Sequence, residues 1–253
     1  MVLCAGTHAA QVNLSSAEAL EIGKRVWRNE CAGTVAGLTS WNAGENFASL
    51  GIGHFIWYPQ GIRGPFEESF PAFISFAEAR NAYVPDVVRK NRSTGCPWPS
   101  RTEFTSAAQK AEMKQLRRFL ADTIALQADF LVQRLQQSLP KMLAAAPTGD
   151  RANIQRQFDR VAGTPHGCYA LVDYVNFKGE GVLETERYHG RGWGLLQVLV
   201  GMSGTTGGSS ATREYAEWAR KVLSERVKNS PAERGESRWL AGWLSRVNSY
   251  IEA

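Results

Sequence analysis

The chain has few cysteines and few histidines, and this scarcity excludes several kinds of site. Its 253 residues include four of each. The cysteines stand at positions 4, 31, 96 and 168, with no close pair and no metal-site spacing, so neither a structural zinc nor another cofactor is expected. Cys96 and Cys168 fall in segments predicted to be surface loops, where they could pair in an oxidising compartment.

Long apolar runs and nucleotide-binding fingerprints are also missing. No stretch provides the ~20 apolar residues that a membrane-spanning helix needs, so no membrane span is expected. No Gly-x-Ser-x-Gly elbow, Walker loop or dinucleotide fingerprint stands in the required strand and helix context. Serine hydrolases of that type and nucleotide-dependent enzymes are therefore not favoured.

The formal net charge of +5 favours anionic polymers as partners. Basic residues gather at 89–92, 114–118 and 213–228, where acids accompany them at a spacing typical of solvated helix faces. They form no zinc finger, basic recognition helix or RNA-binding signature, so nucleic acid is not a predicted partner. Nothing in the sequence indicates an oligomeric state.

The first fourteen residues contain apolar and small residues but lack the basic start of a complete signal peptide. Two interpretations are equally favoured. A signal peptide truncated at its front predicts a periplasmic or secreted protein, whereas a short disordered start predicts a cytoplasmic one.

Helical periodicity extends over most of the chain. A capping box at Ser15 and Glu18 opens a first helix that continues to about Cys31. Two extended runs, Leu38 to Trp41 and Phe47 to Trp57, flank a turn at 42–45 and predict a β-hairpin. Further helices are predicted at 72–79, at 100–138 as one long helix or two with Pro140 ending or kinking it, and at 152–162, 169–177, 193–200, 212–228 and 236–251. The predicted fold is therefore a predominantly helical α+β domain over residues 15–253, with a small N-terminal hairpin and a helical bundle.

Glu30 stands on the apolar face of the first helix, at steps of four after Ile22 and Val26. Burial disfavours the charged form of a carboxyl group, as a proton donor to a glycosidic oxygen requires. The alternative is a helix-end glutamate that binds loop amides and has no chemistry. Glu30 is therefore a candidate catalytic acid.

The segment that follows Glu30 strengthens this hypothesis. A helix that ends in glutamate, followed by a hairpin with Ser-Leu-Gly-Ile-Gly-His at 49–54, resembles the start of phage-type lysozymes. The resemblance covers about the first sixty residues. It implies a lysozyme-like fold, Glu30 as general acid, and a cleft-lining strand in which Gly51, Gly53 and His54 approach a polysaccharide.

The sequence departs from the phage enzymes at the second acid. The position of their aspartate falls near Ala43, so Glu45 is the candidate second carboxylate, acting by charge stabilisation or by positioning water with Ser49. An exposed turn residue is the alternative for Glu45. Three aromatic residues near the hairpin are candidate stacking surfaces for sugar rings, although core packing is expected for at least one: Trp41, Trp57 and Tyr58.

A second segment, Arg191 to Val198, is similar to the Gly-Leu-Met-Gln stretch of goose-type lysozymes and lytic transglycosylases. That resemblance makes Glu180 a competing acid and Gln197 a cleft residue, with Tyr188 and Trp193 as cleft or core residues. Glu180 stands among glycines in a segment that predicts an exposed loop, so Glu30 is preferred.

Two functions remain open. The favoured one is a glycoside hydrolase or lytic transglycosylase acting on peptidoglycan or a related β-linked aminosugar polymer. The other is a non-catalytic lysozyme-like protein that binds a polysaccharide or a protein, and the missing aspartate is its main support.

Overall fold

The computed structural model describes residues 14–64 and 66–251. Within these residues the chain forms eleven α-helices and five short strands, which confirms the predicted α+β, predominantly helical class. The N-terminal segment on which the signal-peptide interpretation rests lies outside them, apart from Leu14. No helix in the described part of the chain is both long and apolar enough to span a bilayer.

The fold packs as two compact units, and the boundary between them lies within one helix, at residues 130 and 131. The N-terminal unit begins at residue 15 and the C-terminal unit continues beyond residue 131. The single domain predicted from the sequence over residues 15–253 stays a prediction.

The N-terminal unit contains a three-stranded antiparallel sheet in the order β1-β2-β3. Ser49 pairs with Ser40 on one side and with Ile56 on the other. The elements are α1 (Ser16–Cys31), β1 (Thr39–Ser40), β2 (Ala48–Leu50), β3 (Phe55–Trp57), α2 (Phe70–Glu78), α3 (Asp86–Arg89), α4 (Arg101–Ser106), α5 (Ala111–Asp122) and the first turns of α6 (Ile124–Ala145).

The C-terminal unit is helical apart from one two-stranded hairpin. Its core contains the fully buried rings of Tyr174 and Phe158. Its elements are the rest of α6, α7 (Thr148–Ala162), α8 (Pro165–Lys178), β4 (Arg187–Tyr188), β5 (Arg191–Gly192), α9 (Leu195–Gly201), α10 (Ser209–Asn229) and α11 (Ser237–Asn248).

Helix α1 shows how local sequence and packing agree. The Ser15 hydroxyl accepts the amide of Glu18, and the Glu18 carboxylate accepts the amide of Ser15 in return, so the predicted capping box is present. Ile22 and Val26 are buried, which fixes the face of α1 that turns toward the core.

Two expectations about the chain are wrong. The first is the extended run at 47–57, which is broken by a turn at 51–54, because Gly51 has a φ of 70°. Of the two outcomes predicted at Pro140, an end or a kink, the end does not occur, since α6 continues through Pro140 to Ala145.

The second error concerns Cys96 and Cys168, which are buried rather than surface loop residues. Helix α8 begins at Pro165, with Thr164 as its N-cap, and therefore includes Cys168. The predicted helix began four residues later, which left this cysteine in a loop.

Candidate active site

The end of α1 lies against the turn at 51–54. The carboxylate Oε2 of Glu30 is 3.6 Å from Nδ1 of His54, and the Glu30 side chain is 13% exposed. The neighbouring Cys31 thiol donates a hydrogen bond to the carbonyl of Gly51 at 3.5 Å. The structure therefore brings together the candidate acid and the Gly-Ile-Gly-His segment that carried the resemblance.

A buried glutamine holds this turn in place. Oε1 of Gln127, on α6, accepts the amide of Ile52 at 2.9 Å, and Nε2 donates to the carbonyl of Leu120 at 2.6 Å. Gly51 leaves room for it, because a Cβ on Gly51 would overlap that Oε1. His54 completes the turn with a φ of 47°, a conformation that is uncommon for a residue with a side chain.

Sequence reasoning missed Gln127. The pattern did contain a signal: Gln127 follows Ile124 by three residues and precedes Leu131 by four, so it is a polar residue on the apolar face of a helix. A residue of that kind must satisfy its hydrogen bonds inside the fold. The sequence did not reveal that its partner would be the turn opposite Glu30.

Cys31 is not suited to act as a nucleophile. Burial, with a smaller contribution from the charge of Glu30, raises the pKa of its thiol to about 12. The thiol is therefore protonated near neutral pH, and its contact with Gly51 is a packing contact.

Glu45 belongs to a different neighbourhood. It precedes the start of β2, whereas Glu30 adjoins the turn that follows the end of β2. The Glu45 carbonyl accepts the indole N–H of Trp41 at 2.8 Å. Burial raises the pKa of Tyr58, and the charges of Glu68 and Glu45 raise it further, which places both carboxylates within electrostatic reach of this phenol. The structure thus associates Glu45 with Trp41 and Tyr58.

Six of the predicted site residues are buried: Trp41, Ser49, Gly51, Gly53, Trp57 and Tyr58. Ser49 is buried on β2 and is not available to position a solvent water. Trp57 is buried with its ring centroid 4.9 Å from that of Phe70, and Trp41 is buried 5.7 Å from the ring of Phe104. These rings are not available to stack on sugars. The fold uses them as hydrophobic packing beside the sheet.

Tyr58 adjoins a cavity of about 430 Å³. One wall contains Tyr58, residues 61–64 and Phe66, and another is formed by residues 92–95. The two walls are joined because the amide of Cys96 donates to the carbonyl of Tyr58 at 2.8 Å. Tyr58 is itself only 4% exposed, so its ring, like those of Trp41 and Trp57, is not open for stacking on a sugar.

The competing acid, Glu180, is not in an exposed loop. It lies two residues beyond the end of α8, and its side chain is only 20% exposed. Its Oε1 accepts the hydroxyl of Ser138 at 2.6 Å and lies 3.2 Å from the ammonium of Lys141. The expectation of exposure was wrong because two residues of α6 cover this carboxylate.

In the C-terminal unit, the side-chain amide of Gln197 bridges two backbone segments. Its side chain accepts the amide of Gly194 at 2.9 Å and donates to the carbonyl of Gly181 at 3.0 Å. Both ends of the amide are therefore committed to backbone, so the predicted cleft role has no support. Trp193 is buried, as expected for a core residue, with its ring 4.5 Å from Tyr188.

The described residues contain no group of three or more His, Cys, Asp or Glu side chains that could hold a metal ion. Comparisons with family models, with curated proteins and with solved structures find no match to this chain.

Proposed function

We propose that the chain is a glycoside hydrolase or lytic transglycosylase that acts on peptidoglycan or a related β-linked aminosugar polymer, with Glu30 as general acid. One observation carries the proposal: a largely buried carboxylate at the end of α1 lies 3.6 Å from His54, in the turn that follows Gly51. A general acid needs such a position, partly withdrawn from water. Gly51 and Gly53 are themselves buried, so His54, with 30% of its side chain exposed, is the residue of this turn that is open to a polymer.

The surroundings of Glu30 favour it over Glu180. The Glu180 carboxylate is engaged by the ammonium of Lys141 at 3.2 Å and by the hydroxyl of Ser138 at 2.6 Å. Glu30 instead lies 3.6 Å from a ring nitrogen of His54, in the turn on which the resemblance rests. Its position beside that turn favours Glu30 as the acid.

A zymogram on purified cell walls tests the proposal. We expect native protein to clear the walls and Glu30→Gln to fail, because the amide keeps the shape but has no proton to donate. Glu21→Gln is the matched control, since Glu21 lies on the same helix, exposed and paired with Lys24. Clearing by Glu30→Gln at the native rate contradicts the assignment of the acid.

The second candidate function is a non-catalytic lysozyme-like protein that binds a polysaccharide or a protein. It is favoured by the position of Glu45, which precedes β2, whereas Glu30 contacts the turn that follows β2. A glycosidase of the two-carboxylate type needs its acids about 5–10 Å apart. No clearing by native protein, together with retention on sedimented walls, supports this binder.

The proposed substrate also implies a place of action. Peptidoglycan lies outside the cytoplasmic membrane, so a periplasmic or secreted location is part of the proposal. The net charge of +5 suits a polymer with free peptide carboxylates.

A further inference from the structure

Helix α11 carries an apolar stripe that the fold covers incompletely. Its apolar residues recur at helical spacing: Trp239, Leu240, Trp243, Leu244 and Val247. Among the residues of α11, all of which the structure describes, only Val247 is buried. Trp239 is 44% exposed, and the other three are partly exposed. The stripe therefore keeps apolar surface in contact with solvent.

Positive charge surrounds the start of this helix. Arg226, in the last turn of α10, binds the carboxylate of Glu236, which places the end of α10 beside the start of α11. The exposed charged residues from 228 to 238 are three cations and one acid: Lys228, Arg234, Arg238 and Glu233. Arg234 is partly engaged, because it also contacts Glu236 at 3.2 Å. The exposed residues around the start of α11 thus carry a net positive charge.

The two tryptophans of the stripe have basic groups over their faces. Their ring centroids are 6.1 Å apart. The Arg238 guanidinium lies 4.4 Å from the centroid of Trp239, where the electron-rich face attracts it, and Nζ of Lys178 lies 3.2 Å from that of Trp243. One face of each ring is therefore occupied. This arrangement disfavours a stacked sugar and leaves the exposed part of Trp239 beside a guanidinium.

An exposed tryptophan among basic groups on an amphipathic helix is typical of helices that lie in the headgroup region of a membrane. There the indole reaches the acyl boundary, while the basic groups stay with the anionic lipid phosphates. A second copy of the chain fits less well. A two-fold interface through this helix would place the same cations against each other.

We propose that the α11 face, formed by Lys228, Arg238, Trp239 and Trp243, docks on an anionic lipid surface. The docking goes beyond the proposed function and uses no residue assigned to catalysis or to substrate binding. It is peripheral, with the helix lying on the bilayer and its indole inserted among the headgroups.

Flotation of the full chain with phosphatidylcholine vesicles, with and without phosphatidylglycerol, tests the proposal. We expect native protein to bind the mixed vesicles and to lose this binding in high salt, because salt screens the attraction. Arg238→Gln should weaken binding about fivefold, the usual contribution of one basic residue near an anionic surface. Trp239→Ser should weaken it roughly tenfold, because the variant loses apolar surface that the bilayer would bury.

Two further variants are matched controls. Lys221→Gln removes an exposed charge that also lies over a tryptophan, 4.2 Å from the ring of Trp218, about two turns before Lys228 on α10. Tyr83→Ser removes a ring that is 78% exposed, from the N-terminal unit. Each should change vesicle binding less than about twofold, because neither residue belongs to the α11 face. Circular dichroism checks that all four variants keep the native helical content.

Several outcomes overturn the proposal. They are no binding to the mixed vesicles, equal binding to neutral and mixed vesicles, and native binding by both Trp239→Ser and Arg238→Gln. A concentration-dependent dimer that Trp239→Ser abolishes, without vesicle binding, would assign the α11 face to a second copy instead. Retention on lipid-free cell walls that the same variant abolishes, again without vesicle binding, would assign it to a polysaccharide.

Discussion

The two units of this chain contain similar local arrangements of a glutamate and a glutamine, but in different surroundings. Each has a glutamate near the end of a helix, Glu30 in the last turn of α1 and Glu180 two residues beyond α8. Each also has a glutamine that holds a glycine turn by backbone hydrogen bonds, Gln127 at Ile52 and Gln197 at Gly181. The local geometry is therefore similar, and it cannot by itself explain why one glutamate would be an acid.

The difference lies in buried charge. The buried polar side chains of the N-terminal unit are all uncharged within the described residues. The C-terminal unit buries Asp173, Lys178 and Glu236, and two of them have arginine partners, Arg246 and Arg226. Glu180 thus belongs to a unit whose interior contains ion pairs, whereas Glu30 belongs to one whose buried polar side chains are three hydroxyls and one amide.

Exchange of each glutamate for glutamine should give the largest effect. We expect Glu30→Gln to lower the initial rate of wall clearing by about 10²-fold or more, the usual contribution of a general acid. Glu180→Gln should change the rate less than about threefold, since a neutral amide can still accept the Ser138 hydroxyl. Turbidity of a cell-wall suspension measures both. The reverse pattern would transfer the acid to the C-terminal unit.

Lys178 should make the stability of the C-terminal unit depend on pH. Burial, with smaller contributions from the charges of Arg226 and Arg246, lowers the pKa of its ammonium to about 6, even though the rings of Trp243 and Phe177 lie within 3.9 Å. Between about pH 6 and 10 the unfolded chain binds a proton that the folded chain lacks. The free energy of unfolding therefore rises with pH, by about 1.4 kcal/mol per unit from this group.

The measurement is denaturant unfolding of native protein and Lys178→Met from pH 6 to 9. We expect Lys178→Met to be the more stable at low pH and to lose this advantage as the pH rises. Lys90→Met, on an exposed side chain, should run parallel to the native curve. Parallel curves for Lys178→Met as well would show that this amine stays charged in the fold.

Features set by neighbouring residues in the chain could be predicted from the sequence, whereas features set by distant residues could not. Helix periodicity and the capping box at Ser15 located α1, because those signals are local. The proximity of Glu30 and His54 followed from the order of helix, turn and hairpin. The burial of Glu180 could not be predicted, because its cover, Ser138 and Lys141, comes from about 40 residues earlier in the chain.

Substitution of Gln127 or Gln197 should have effects of intermediate size. The two variants should lose similar amounts of stability but differ in wall clearing. Gln127→Met leaves the buried amide of Ile52 without an acceptor, so we expect a loss of about 1–3 kcal/mol in stability. Gln197→Met should cost a similar amount, because it frees the backbone groups at Gly181 and Gly194.

Wall clearing separates the two variants. Gln127→Met should also slow clearing, since the turn that carries His54 loses its support opposite Glu30. Gln197→Met should leave the rate per folded molecule unchanged. Equal rates for the two variants, after correction for the folded fraction, would mean that the turn at 51–54 does not position the site.

The smallest effect should come from Lys141, the only described cation that binds Glu180. Its side chain is 56% exposed, and an ion pair in that setting contributes at most about 1 kcal/mol. Lys141→Met should therefore lower the unfolding free energy only slightly and leave clearing unchanged. The most sensitive test of this ion pair is the double variant Glu30→Gln with Lys141→Met. Removal of the ammonium takes away the ion-pair partner of Glu180, so recovery of any clearing in that background would show that this ion pair, rather than the position of Glu180, keeps it from acting as the acid.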